Sequence, residues 1–370
     1  MLAALAWLGY RAPQIDLLVP GDPPMSERSR EPFTVALVQE APVFLNLEAT
    51  LDRADALIAE TAANGAAVVV FPETWLPGYP VWIDSAPKAA IWNHPGAKAL
   101  YRILAANSVT IGDPSFRRLQ SAAASAGVTV VIGVHERRGA TLYNTIIVYG
   151  ADGERYTIHR KLVPTYTERL IWGQGDGSTL TALDTEHGVI GSLVCWEHWM
   201  PLARAAMHAQ GEVLHVAQWP WVHELHQVCS RHYAFEGQCF VAASGCLLTR
   251  GQMLEGFDSV ARGETEAREL LASIPGDDDT ALLRGGSTLI APDISFVTEP
   301  ALDGPAVVYA TVDPGRIEEG HMVLDTDGHY ARPDVFRLEV DTSARCTVNG
   351  LEGPALAPGS GEEPDADRLE

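Results

Sequence analysis

From residue 34 onward, short apolar runs alternate with longer stretches whose apolar positions recur at helical spacing. "TVALVQ" (34–39) reads as a strand, and 46–63 reads as a helix with Leu47, Leu51, Ala54, Leu57 and Ile58 on one face. "AAVVVFPE" (66–73) is a buried strand that ends in a turn at Pro72. A helix near 115–126, a strand at 128–134 and a hairpin follow; the hairpin turns at "ADG" (151–153) and joins "YNTIIVYG" to "ERYTIHRK". Beyond it the pattern predicts strands at 189–195, 213–218 and 239–244, helices at 201–210 and near 223–236, and further strands at 286–291 and 306–312. No Pro- or Ser-rich linker divides the chain before residue 350, so the alternation predicts a single α/β domain over 33–345. Residues 258–282 are acidic and weakly periodic and read as a surface insertion.

The two ends have a different character. The closing stretch "LEGPALAPGSGEEPDADRLE" has too few apolar residues to offset its ordering entropy, which predicts an acidic, disordered tail over 346–370. Residues 1–32 read as an N-terminal extension: Leu2 to Gly9 is apolar but lacks a basic flank and is far shorter than a transmembrane span, and Met25 is an alternative initiator. The 370 residues carry 26 Lys and Arg against 48 Asp and Glu, a formal charge of −22. That balance excludes nucleic acid and an anionic membrane as main partners, since both need a basic face, and favours a small molecule. Five cysteines at 195, 229, 239, 246 and 346, an odd number without a CxxC pair, predict a reducing, cytoplasmic setting.

Three stretches place a reactive side chain at the end of a predicted strand, where an α/β fold brings distant residues together. In "FPETWLPGYP" (71–80), Glu73 follows apolar residues that would raise its proton affinity, as suits a general base; the plainer reading is a loop cap. In "HRKLVPTYTERLIW" (159–172), Lys161 leaves a strand with Glu168 seven residues on, a pair able to stabilise developing negative charge or to be a surface salt bridge. In "GSLVCWEHWMPL" (191–202), Cys195 stands where a strand stops and a helix begins, so N–H groups and the helix dipole would favour a thiolate; a buried small hydrophobe is the alternative. Cys229, Cys239 and Cys246 read as structural cysteines inside helix or strand.

Together the three stretches, with "DTDGHYARPDVF" (325–336), resemble the nitrilase superfamily of carbon–nitrogen hydrolases, and specifically its nitrilase branch. The order Glu, Lys, Cys is the family's order, and the resemblance runs over roughly residues 33 to 340. It implies a four-layer αββα sandwich, with Cys195 as nucleophile, Glu73 as general base, Lys161 as electrostatic stabiliser and acid, and Glu168 as a second glutamate supporting the lysine. It further implies hydrolysis of an organic nitrile to acid and ammonia through thioimidate and thioester intermediates, with no metal or organic cofactor. Protomers of the family pair through helical faces, so a homodimer inside a larger homo-oligomer is expected. Glu197 stands where many amidases of the superfamily have Asp.

Trp75, Tyr79, Trp82, Trp172 and Trp196, with Glu197 and His198, lie close to these residues in sequence and are candidates for the substrate pocket. Trp199 neighbours them too, and Trp196 is expected to offer a backbone N–H near the reacting atom. His215, His223, His226 and His232 form no HExxH-like metal signature and read as core or solvated histidines, with His223 and His226 at an interface or the pocket rim. An amidase or carbamoylase using the same three residues is the alternative enzyme. A binding protein that keeps the fold would be free to lose one of the four residues, and a cysteine protease would pair cysteine with histidine rather than lysine.

Overall fold

The computed structural model describes residues 31–304 and 306–345; the expected N-terminal extension, apart from its last two residues, and the acidic tail lie outside the described residues. The first half runs β1 (Phe33–Val38), α1 (Leu47–Ala63), β2 (Val68–Val70), α2 (Trp82–Ser85), α3 (Pro95–Ala106), α4 (Pro114–Ala126), β3 (Thr129–Arg138), β4 (Thr141–Tyr149) and β5 (Tyr156–Arg160). It continues through β6 (Leu183–Thr185), β7 (Gly188–Val194), α5 (Pro201–His208), β8 (Glu212–Gln218), α6 (Glu224–Gly237), β9 (Phe240–Ser244) and β10 (Leu247–Thr249). Then come α7 (Arg250–Ala261), α8 (Thr265–Ala272), β11 (Ala281–Arg284), β12 (Thr288–Ile290), β13 (Val307–Val312) and α9 (Gly315–His321). One large sheet has the order β13-β1-β2-β3-β4-β5 and a second β12-β9-β8-β7-β6, while β10 and β11 form a separate two-stranded sheet.

Strand alternation sorts neighbouring residues into two cores. Val35 and Leu37 of β1, Val68 and Val70 of β2, and Val131 of β3 face the second sheet, where they meet Ile190, Leu214 and Val216. Their neighbours Ala36, Val38, Val69, Val130 and Ile132 face α1 and α4 on the other side. The outer face of the second sheet is covered by α5 and α6 through Ala203, Met207, Cys229 and Tyr233. Helix, sheet, sheet, helix is therefore the layer order, the αββα sandwich. Strands buried on both faces need apolar residues at every position, which is why β2 reads as an unbroken run rather than an alternation. Each fully buried valine contributes roughly 1.5–3 kcal/mol of transfer free energy.

Two readings of the pattern are corrected. Residues 258–282 are not a surface insertion: they include the end of α7 and all of α8, whose Ala267, Leu270 and Leu271 are buried together with Ile274. Their partner is α3, which the pattern left unassigned, with Gly96 at its start lying so close to the Glu266 carbonyl that a Cβ would collide with it. Cys239 and Cys246 are buried as expected but lie in the connections flanking β9 rather than inside elements.

The end of β5 is anchored by a buried bidentate ion pair. Arg160 donates to Glu136 of β3 at 2.7 and 2.6 Å, and Thr145 of β4 donates to the same carboxylate at 2.9 Å. Three adjacent strands are thus tied one residue before Lys161.

Candidate active site

β2, β5 and β7 each deliver one reactive side chain to a common edge. Glu73 follows β2 after Phe71 and Pro72, Lys161 is the residue after β5, and Cys195 is the residue after β7. Lys161 Nζ donates to Glu73 Oε1 at 3.0 Å and to Glu168 Oε2 at 2.7 Å. Glu168, in the 3-10 turn Tyr166–Leu170, also accepts from the Tyr79 hydroxyl at 3.0 Å and from the Thr165 N–H at 2.6 Å. Reactive atoms of Glu73, Glu168 and Cys195 lie within 4.8 Å of one another. An acidic group of this kind can hold a metal ion, but here the lysine ammonium bonds both carboxylates and supplies the positive charge.

Burial and charge set the protonation states. Burial pushes Glu73 up to about 7, against the pull of Lys161 and with the added push of Glu168. Burial alone would drive Lys161 down, but Glu73, Cys195 and Glu168 outweigh it and hold its ammonium well above the usual range. Burial and the charge of Glu73 push the Cys195 thiol well above its usual range, while Lys161 and the Trp196 N–H pull the other way. The expectation of a resting thiolate is therefore corrected. The element behind Cys195 is a five-residue 3-10 turn, Cys195–Trp199, and what it offers does not overcome burial. The thiol needs a base, and Glu73 Oε2 is buried without a hydrogen-bond partner among the described residues. Its other oxygen is held by the Asn144 amide at 2.7 Å as well as by Lys161.

Cys195 has φ of 52°, a left-handed backbone that non-glycine residues adopt only when their surroundings enforce it. Glu197 is one enforcing group: its carboxylate accepts from the Val194 N–H at 2.7 Å, the Leu162 N–H at 2.6 Å and His159 at 2.9 Å. It thereby ties the turn after β7 to the end of β5, so Cys195 and Lys161 are located by the same carboxylate. Glu197 and His198 are fully buried and do not line the cavity.

The cavity beside Cys195 has a volume of about 340 Å³. Tyr79 and Trp196 line it, together with Glu168, Trp221, His223 and His226. Trp75, Trp82 and Trp172, expected at the pocket, sit in the core instead. Trp75 donates to the Glu40 carbonyl at 2.6 Å, and Trp82 packs edge-on against Phe44. Trp172 donates to His135 Nδ1 at 3.0 Å and lies 5.9 Å from the Lys161 ammonium, backing the site from behind. Proximity in sequence located the right loops but not the direction of each ring. Trp221 and the β11 residue Leu283 on the cavity wall, and Asn144, which bonds Glu73 from behind it, were missed. Only Asn144 left a sequence signal, as a lone amide in the apolar stretch "LYNTIIV".

Fold and residue types together define a hydrolase of carbon–nitrogen bonds. The chain belongs to the carbon–nitrogen hydrolase family, whose model matches residues 34–321. It is 38% identical over 323 residues to a nitrilase of Pseudomonas syringae, covering 84% of this chain and 90% of that one. An aliphatic nitrilase of Sinorhizobium fredii is 38% identical over 325 residues, covering 85% and 98%. A bifunctional nitrilase/nitrile hydratase of Lupinus angustifolius is 36% identical, covering 82% and 84%. Among solved structures, the NitFhit protein of C. elegans superposes with a TM-score of 0.60 at 15% identity, covering 85% of this chain and 69% of that one. A carbon–nitrogen hydrolase of Helicobacter pylori gives 0.56 at 17% identity, covering 82% and 97%. These structures share the fold.

Proposed function

We propose that this chain is a nitrilase that converts an organic nitrile and two waters into a carboxylic acid and ammonia. The observation that carries the reading is the lysine ammonium bonded to both Glu73 and Glu168 beside Cys195, in a chain whose relatives at 36–38% identity include nitrilases. Glu73 takes the thiol proton, and the sulfur attacks the nitrile carbon, splitting one difficult addition into easier steps. The nitrogen takes a proton and a thioimidate forms. Water, deprotonated by Glu73, adds to it; Lys161 stabilises the charge, and the C–N bond breaks to release ammonia. A second water hydrolyses the thioester and restores the thiol. Cleavage of C–S instead of C–N at the tetrahedral stage would release an amide.

Ammonia release from aromatic, arylaliphatic and aliphatic nitriles, measured beside their amides, tests the reading. Nitrile-dependent ammonia supports it; release from amides alone assigns the chain to the amidases, and silence on every nitrile sinks it. The acid limb of the rate supplies a further prediction. Glu73 acts as a base only when ionised, and its affinity for protons is raised to about 7. The rate constant kcat/KM is therefore expected to fall about tenfold per pH unit below neutrality. A profile flat from pH 7 to about 5 removes Glu73 from the role of base.

Leu202, Leu225, Val228 and Phe235 are exposed on α5 and α6, Leu202 by 69%, and support pairing with a second copy through these helices. Light scattering is expected to give at least a dimer, and a reversal to monomer on Leu202→Glu. A monomeric wild type contradicts the pairing. No helix among the described residues is long and apolar enough to cross a membrane.

A further inference from the structure

Four buried side chains next to the nucleophile, none lining the cavity, make a run of hydrogen bonds that the chemistry above does not use. His198 Nδ1 lies 2.7 Å from the carbonyl oxygen of Cys195, and His198 Nε2 lies 3.0 Å from His215 Nε2. His215 Nδ1 lies 2.7 Å from Glu212 Oε1, and the Tyr233 hydroxyl donates to Glu212 Oε2 at 2.6 Å. Space for the Glu212 carboxyl exists because residue 191, on the neighbouring strand β7, is glycine; a Cβ there would overlap Oε1.

The hydrogens of this run can be counted. The Cys195 carbonyl only accepts, so His198 Nδ1 carries a hydrogen. In a neutral ring Nε2 is then an acceptor, so His215 Nε2 carries the next one and His215 Nδ1 accepts in turn. The last hydrogen comes from Glu212 as a neutral carboxylic acid. Burial favours this state throughout, pushing both imidazoles well below their usual range and Glu212 up to about 7. Remove that one proton and two acceptors must face each other. Either the Glu212 carboxylate meets a bare His215 Nδ1, or both rings exchange tautomer and a bare His198 Nδ1 meets the Cys195 carbonyl.

We propose that Glu212, His215 and His198 are positioning residues for Cys195: one proton at Glu212 sets both tautomers and so holds the carbonyl of the left-handed residue that aims the thiol. The inference rests on Cys195 being the nucleophile. The remaining titratable groups around the relay come from every packed element. His208 of α5 has Nδ1 3.9 Å from Glu212 Oε2, and Arg204 of α5 pairs with Glu236 of α6 at 2.5 Å. Cys239 ahead of β9 faces Glu212, the pair His159 and Glu197 faces His215, and His226 of α6 faces His198. Arg204 also donates to the His198 carbonyl at 3.0 Å, bracing the same turn from its far end.

Glu212→Gln puts an amide N–H where the acid proton sits and keeps an oxygen for Tyr233, so it locks the neutral pattern at every pH. Glu212→Leu removes it. The readout is the rate at which iodoacetamide alkylates Cys195, followed by mass spectrometry of that peptide between about pH 6 and pH 9. The ratio of the Glu212→Gln rate to the wild-type rate is expected to rise about tenfold across that range, the scale of one lost hydrogen bond, as the wild type loses its relay proton. Titration of Cys195 and Glu73 is common to both proteins and cancels. Glu212→Leu is expected to react about tenfold more slowly than Glu212→Gln at both ends, so that glutamine rescues what leucine loses. A ratio constant within about twofold overturns the proposal, and the glutamine variant decides it even if the leucine variant does not fold. Alkylation needs no nitrile, so a wild type inert toward nitriles would count against the nitrilase reading while this comparison still decides the relay.

Discussion

Cys195→Ala lowers kcat for nitrile hydrolysis by about 10⁴-fold or more, with KM changed little, because the substitution removes the atom that forms the covalent bond and leaves the cavity walls in place. The loss is expected to be this large because no neighbouring group can substitute: the four described cysteines are all buried, and the other three stand away from the cavity. Steady-state ammonia release and intact-mass detection of a trapped acyl-enzyme check it together. Residual activity above about one per cent of wild type would mean that water attacks the nitrile carbon directly and that the sulfur is not the nucleophile. The left-handed backbone at this position, φ 52°, is retained by alanine at the same strain, so unfolding is expected to be almost unaffected.

Lys161→Met is the second large effect, and it touches stability as well as rate. The ammonium is fully buried between Glu73 and Glu168, and methionine fills its volume without its charge. Removing one donor to developing charge costs about 10²–10³ in kcat, and loss of the base form of Glu73 adds to that. Glu73 then shares a dry site with a second carboxyl and no cation, so it is pushed further toward the neutral acid. The sign of the stability change follows. A carboxyl whose folded proton affinity exceeds the unfolded value destabilises the fold as pH rises above that unfolded value. The variant is therefore expected to be closest to wild type near pH 4.5 and to lose about 3–5 kcal/mol relative to wild type at neutral pH. The wild-type lysine behaves in the opposite sense, its stabilisation being present at neutral pH and lost only as pH rises through its own raised value. Denaturant unfolding at acidic and neutral pH checks both. Equal destabilisation at the two pH values would show that packing, not charge, is what the lysine contributes.

Most of the sandwich was legible because its strands are short and apolar and its outer helices have one wide stripe. β1, α1, α4, β7, α5, β8, α6 and β9 all fall within a few residues of their pattern-derived ranges. α3 and α8 were not read as a packed pair, since they bury their apolar residues against each other and that contact between segments far apart in the chain is a local property of neither. Of the site, Glu73, Lys161 and Cys195 were legible as reactive residues at strand ends, a defined place in an α/β sandwich, whereas Glu168, in a 3-10 turn seven residues past Lys161, was picked out with its role by the family resemblance. The pocket was legible only in part. Tyr79 and Trp196 face the cavity, while Trp75, Trp82 and Trp172 turn into the core, a matter of ring direction that spacing along the chain does not carry.

The sequence by itself determined a single α/β domain, the strands that present the reactive side chains, and the chemistry those residue types permit, because period and residue type are local properties of the chain; the αββα layer order came only as what the family resemblance implied. Tertiary structure decided the protonation states and the contacts. Only packing encloses Cys195 and Glu73 deeply enough to keep a resting thiol beside a carboxyl whose proton affinity is raised to about 7. Only packing brings Glu212 under Gly191 and lines up His215 and His198 behind the nucleophile. Desolvation and hydrogen-bond direction depend on what lies within a few ångströms in space, and residues far apart in sequence supply most of it.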